Sequence, residues 1–248
     1  MIIVLFVIIH WYSSLFFHSF FLHRYGAHKQ FTMSPFWERF FFFCNWFFQG
    51  SSFLSPRAYA IMHRMHHHYS DTAQDPHSPH FHSDPWSMMM KTYRFYIDLF
   101  RYHFQPDPIF TKSFPEWKSF EAFAFSRFST LMWIGVYISI YFFFATSPWL
   151  WLLLPINIFN GPIQGAIVNW CGHKYGYQNY KNGDKSRNTL IADIFLLGEL
   201  FQNNHHKYSQ RSNFGAKWWE IDPAYPFIKM MSWFRIIRFT PEALERPA

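Results

Sequence analysis

The chain has 248 residues, 50% hydrophobic and 24% aromatic, with 34 Phe, 12 Trp and 14 Tyr, and a formal charge of +7. That aromatic load excludes an ordinary soluble domain and indicates a membrane-embedded protein. The two cysteines, Cys44 and Cys171, share no paired spacing, which excludes a disulfide framework and a cysteine-based zinc or iron–sulfur site. The positive charge is read as Lys and Arg gathered on one membrane face, opposite anionic headgroups or an acidic protein, and no nucleic-acid partner is expected.

In chain order, Met1 to Leu22 is apolar and long enough to form a first transmembrane helix. It lacks the basic start and small-residue cleavage site of a signal peptide. His10 and His18 within it are expected to be structural, bonded to neighbouring helices. HRYGAH follows at 23 to 28. Five residues of spacing place His23 and His28 about 140° apart on a regular helix, so they share a face only where the helix ends or bulges. Gly26 suits such an ending, and the two imidazoles could then serve two different metal ions. The aromatic stretch Phe36 to Leu54 is predicted to be interfacial or re-entrant, because a full crossing would separate the first His pair from the next cluster.

Ser55-Pro56-Arg57 breaks the chain before the richest cluster, HRMHH at 63 to 67. On a helix, His63, His66 and His67 occupy positions i, i+3 and i+4 and aim three imidazoles at one centre, which a first-row transition ion would satisfy. Asp71 and Asp75, in the polar turn that follows, are carboxylates placed to take the other ring N–H of such ligands, as is Glu199 further on. His77, His80 and His82 fall among Pro and Ser and are read as surface residues. Trp86 to Phe104 reads as an amphipathic helix on the membrane surface, as does a last stretch near 224–238.

Glu121 to Ala145 and Trp149 to Asn169 form two further predicted crossings, the second kinked by Pro155 and Pro162. The Thr146-Ser147-Pro148 turn between them carries no charge. The Lys and Arg residues that flank the pair place every His cluster on the cytoplasmic side. Asn169 and His173 stand at i and i+4 on one face. Gln202, His205 and His206 repeat the i, i+3, i+4 geometry and can close a two-metal cage. The expectation is one domain over 1–248, an all-α integral membrane protein. A few transmembrane helices and several interfacial ones would carry a cytoplasmic His-rich metal cap.

These features together resemble the membrane fatty acid desaturases, in the branch that contains the acyl-CoA Δ9 (stearoyl-CoA) desaturases. The resemblance rests on HRYGAH at 23–28, HRMHH at 63–67 with SDTAQDPH behind it, NWCGH at 169–173 with KYGY behind it, and GELFQNNHH at 198–206. It implies a non-haem diiron centre whose catalytic ligands are His23, His28, His63, His66, His67, His173, His205 and His206, with Asn169 approaching one iron through water. The third motif of that family usually opens on His, where this chain has Gln202, a change also found in front-end desaturases. The Arg-Asp pair that precedes the second motif in animal acyl-CoA enzymes is Ile61-Met62 here. One membrane span rather than two precedes the first motif.

The implied reaction places a cis double bond, Δ9 by resemblance, in a saturated acyl chain carried by CoA, with a phospholipid-linked chain as the alternative. It uses O₂ and two electrons. Imidazole-bound iron suits such chemistry, and the aromatic residues can line an acyl tunnel. The sequence carries no haem or nucleotide motif, so electrons are expected from an external cytochrome b5-like protein or a ferredoxin with its reductase. The competing readings are a related diiron lipid hydroxylase or carotenoid ketolase and, from another class, a membrane zinc hydrolase or a non-catalytic metal-binding membrane protein.

Overall fold

The apolar N-terminal run forms α1 (Ile2–Phe17), which passes without a break into a π-helical segment, His18–Ala27. In the computed structural model, which describes residues 1–245, this 26-residue rod is one of two helices long and apolar enough to cross a membrane. The helix therefore outruns the Leu22 boundary expected from the sequence, and His23 sits on it rather than beyond it. Three helices then start alike, each on a polar cap followed by proline, which satisfies one free N–H and pre-sets the first helical φ. They are α2 (Pro35–Gln49) after Ser34, α3 (Pro56–Tyr69) after Ser55, and α4 (Pro85–Phe100) after Asp84.

α2 turns back along the rod. Phe41 meets Phe20 at 4.8 Å between ring centroids and Phe48 stacks on Phe17 at 4.7 Å, while Phe36, Phe40, Phe43 and Phe47 form an exposed stripe on the opposite side. Burial of each inward ring contributes about 1.5–3 kcal/mol. The exposed stripe is the face a lipid layer would cover.

The crossing expected over Glu121–Ala145 is divided. α5 (Lys118–Ala124) stops at Phe125, and Ser126 caps a new helix, α6 (Arg127–Phe144), whose 18 residues span about 27 Å. The next expected crossing is bent by 67° between Pro148–Ile158, which ends in α7 (Leu154–Ile158), and α8 (Asn160–Lys174). Proline has no N–H and its ring repels the carbonyl four residues back, so Pro162 frees the Ile158 carbonyl. Ser51 and Ser52 hydroxyls donate to that oxygen at 2.8 and 3.1 Å, which satisfies it in an apolar setting. With this bent pair counted, the protein has up to three candidate spans.

His10 is buried where α1, α6 and α7 meet, its ring nitrogens 3.1 Å from the Tyr137 hydroxyl and 2.9 Å from the Asn157 amide, in keeping with the structural role expected of it. His18 instead lies edge-on to Tyr59 at 4.8 Å, on the wall of an internal cavity. The fold is mostly helical but not wholly so: β1 (Phe31–Met33) pairs antiparallel with β2 (Ile237–Phe239). The last helices are α9 (Gln202–Lys207) and α10 (Ala224–Trp233), so the stretch expected to be interfacial over 224–238 gives up its end to the strand pair. Gln30 fixes that return, donating to the Ser209 and Arg211 carbonyls at 2.9 and 3.0 Å and accepting Thr240 N–H at 3.0 Å.

Candidate metal centre

The π-helix decides how the first two histidines act. His28 N–H bonds to the His23 carbonyl at 3.1 Å, an i→i+5 step, and residues five apart then lie on one side of the helix. The sequence left His23 and His28 free to serve separate ions, whereas the structure brings both rings to one place, 5.0 Å apart between centroids. α3 and α9 supply the other three imidazoles, and ligand atoms of His23, His28, His63, His67 and His205 all lie within 4.8 Å of one another. Nε2 faces Nε2 at 2.7 Å for His28 and His63, 3.0 Å for His63 and His67, and 2.9 Å for His205 with both His23 and His67. Ligand nitrogens about 2.1 Å from a metal and at right angles to each other stand about 3 Å apart, so these separations fit a bound ion. Three of the nitrogens, on His63, His67 and His205, each face two others, which single N–H···N bonds do not satisfy.

A second group joins His66 of α3, His173 of α8 and His206 of α9. His66 Nε2 and His206 Nε2 are 3.2 Å apart, and His173 Nε2 is buried without a partner, aimed where a cation would satisfy it. In this group every Nδ1 meets a carboxylate: Asp75 at 2.9 Å for His66, Asp71 at 3.0 Å for His173, Asp184 at 2.8 Å for His206. In the five-histidine group only His23 does so among the described residues, with Glu199 at 2.7 Å. Arg24, fully buried over the Phe214 ring, holds Glu199 on one side and Asp222 on the other at 3.1 and 2.8 Å.

Burial, reinforced by the neighbouring imidazoles, pushes His63, His67 and His205 far below their ordinary 6.5. They stay neutral at pH 7, with lone pairs free for a metal. His206 is also lowered by burial, but Asp184 and Asp71 oppose the effect. Burial would raise Asp71 and Asp184, yet His173 and His206 hold them below the usual carboxylate range. Glu199 is brought to about 2 against its burial by His23 and Arg24.

Asn169 and Gln202 line the same cavity as His23, His63 and His66. Gln202 is 3% exposed and donates Nε2 to the Glu199 carbonyl at 2.6 Å. His77, expected at the surface, is buried, because Asp75 accepts its backbone N–H at 3.0 Å and folds the loop back over His66. His80 and His82 are half-buried rather than exposed, with His80 Nε2 3.0 Å from the His173 carbonyl. Sequence reasoning missed Asp184, Arg24 and Asp222. Asp184 lies in the loop segment NGDKS, where nothing separates it from an ordinary turn aspartate.

The cavity measures about 960 Å³, at the large end of small-molecule sites, and its walls are mainly apolar, with Leu15, Met62, Ile134, Phe159 and Val168 among them. The imidazoles of His23, His63 and His66 form part of its wall. A fatty acid desaturase family model matches residues 1–232. The chain is 30% identical over 216 residues to an sn-1 stearoyl-lipid 9-desaturase of Synechocystis, covering 85% of this chain and 62% of that protein. It is 26% identical to Delta-9 acyl-lipid desaturase 1 of Arabidopsis thaliana, over 88% of this chain and 65% of the relative. It is also 26% identical to an acyl-CoA 5-desaturase of Anemone leveillei, over 85% and 63%. The chain thus spans a little under two thirds of the length of these three relatives. On the family match across nearly its whole length, the chain belongs to the fatty acid desaturase family.

Proposed function

We propose that this protein is a membrane fatty acyl desaturase that converts –CH₂–CH₂– to a cis –CH=CH–, with O₂ and two electrons and two protons yielding two waters. The observation that carries the reading is a pair of imidazole groups that both contribute to the wall of one mainly apolar cavity. The five-histidine group would hold one iron. His66, His173 and His206, with Asn169 and Gln202 beside them, would hold the other. Iron at both positions supplies the O₂-derived oxidant that an unactivated alkyl chain requires. The residues of the chain orient and insulate that chemistry. Met62, Ile134 and Val168 hold the alkyl chain in register and exclude water, Tyr59 and His18 close the wall beside His63, and the carboxylates fix which nitrogen each imidazole presents.

The double bond is placed at Δ9 by resemblance. CoA is the carrier expected from the sequence, but a lipid-linked chain is favoured by one observation. Ile61 is 1% exposed and Met62 7%, so the position where acyl-CoA enzymes of animals carry a charged pair is apolar core here. The electron donor is an external cytochrome b5-like protein or ferredoxin, for which the basic cytoplasmic face offers an acidic protein a docking surface.

The test is lipid profiling of a host that expresses the full chain, with and without His63→Ala. New cis-monoenoic chains that need O₂ and an intact His63 support the proposal. A hydroxylated product, or activity without O₂, overturns it. Supplying the same acyl group as CoA ester or as phospholipid then identifies the carrier.

A further inference from the structure

The second imidazole group has three rings against five in the first, and Gln202, which stands where the third motif of the resembled family carries His, has its amide nitrogen engaged by the Glu199 carbonyl. One free imidazole lies beside that group. His77 is 4% exposed, and both of its ring nitrogens are buried without a hydrogen-bond partner. Its ring packs on His66 at 4.2 Å between centroids, and it shares the cavity wall with His66, Asn169 and Gln202. A ligand atom of His77 lies within 4.8 Å of those of His66 and Asp75. Buried polar groups without partners destabilise a fold, and the one nitrogen of a neutral imidazole that carries a lone pair calls for a partner that accepts it.

Asp75 prepares this arrangement. Its carboxylate takes His66 Nδ1 at 2.9 and 3.0 Å and the His77 backbone N–H at 3.0 Å, so one side chain fixes the ring of the first and the backbone of the second. The His77 ring stands next to the His66, His173 and His206 nitrogens rather than among them. The His77 ring makes no hydrogen bond that a rotation about its side-chain bonds would break. We propose that His77 is the fourth imidazole ligand of the second metal, binding from the acyl-cavity side and replacing the donor that Gln202 does not supply. The inference rests on the diiron reading given above.

The experiment uses the full chain in detergent, loaded with ferrous iron, with iron per chain counted during titration by a chelator. The variants are His77→Phe, which keeps the stacking but has no nitrogen, and His77→Phe combined with Gln202→His. Wild type holding both irons supports the diiron reading, and wild type holding none overturns that reading and this inference with it. His77→Phe is expected to keep the iron of the five-histidine group and to release the other at a chelator concentration at least ~10-fold lower, in the range that losing even an outer partner of a ligand costs. The double variant is expected to recover it. His77→Phe holding both irons with wild-type resistance overturns the inference. So does loss of iron that Gln202→His fails to restore, since that pattern belongs to a packing residue.

Discussion

The two imidazole groups are built on opposite principles. The first has five rings and one carboxylate, and that carboxylate, Glu199, is itself tied to Arg24. The second has three rings, and each has its own carboxylate. A carboxylate on Nδ1 fixes the tautomer and makes Nε2 a better donor, so the second group gains in basicity and local negative charge what it lacks in number. A metal in the first group would be held by nitrogen count, and one in the second by charge. Two neutral amides, Asn169 and Gln202, share the cavity wall with His66 of the second group.

The largest break comes from removing one of the five nitrogens. His63→Ala, His67→Ala or His205→Ala should abolish the iron of that group and all desaturation while the helices still form, because apolar packing rather than metal holds them; iron analysis beside helicity measures both. His80→Ala, outside both groups, should keep its iron.

Removing a carboxylate should act differently on the two sides. Glu199→Gln leaves the buried Arg24 with a broken network, at a cost of about 3–5 kcal/mol, and should show in thermal unfolding as well as in metal loss. Asp184→Asn removes only the partner of His206. Its expected effect is a 10–100-fold loss of affinity for the second iron with the first unchanged, read by chelator competition.

Smaller effects sharpen the contrast at Gln202. Gln202→His should bind the second iron more tightly, whereas Gln202→Leu loses a donor to Glu199 and should reduce turnover more than fold. Gly172→Ala tests the same point by packing: a Cβ there would lie 2.4 Å from Gln202 Cγ, so the glutamine must move, at about 1–3 kcal/mol and with weaker iron binding at the second group alone.

The mildest lever is pH. His205 is held far below 6.5 by burial and its imidazole neighbours, while His206 is less depressed because Asp184 and Asp71 favour its charged form. A proton therefore competes with metal at the second group first. As pH falls from 7 through 6, iron per chain should drop by the second ion before the first, and the metal-free fold should lose stability below 6.5, where the unfolded histidines take up protons that the buried ones refuse.

Most of the metal constellation was legible because helix geometry is local. His63, His66 and His67 announce themselves by spacing alone, and Asp71, Asp75 and Glu199 by their nearness in sequence to a cluster. His23 and His28 were legible as a pair but not as partners in one group, because nothing in the residue types of HRYGAH announces the π-helix that unites them. Asp184 and His77 were not legible. Asp184 lies in a loop whose path is fixed by its bond to His206, and His77 in one that the Asp75 carboxylate folds back by holding both His66 and the His77 N–H. The break of α5 from α6 at Ser126 was equally hidden, since an apolar run reads as one helix until its cap is seen.

The most direct test of the central claim, that two unlike imidazole groups hold two irons, is Mössbauer spectroscopy of the full chain loaded with iron-57. Two iron environments of equal area are predicted, with Asp184→Asn perturbing one and leaving the other unchanged. A single environment, or a protein that retains zinc alone and acts without O₂, would contradict the account.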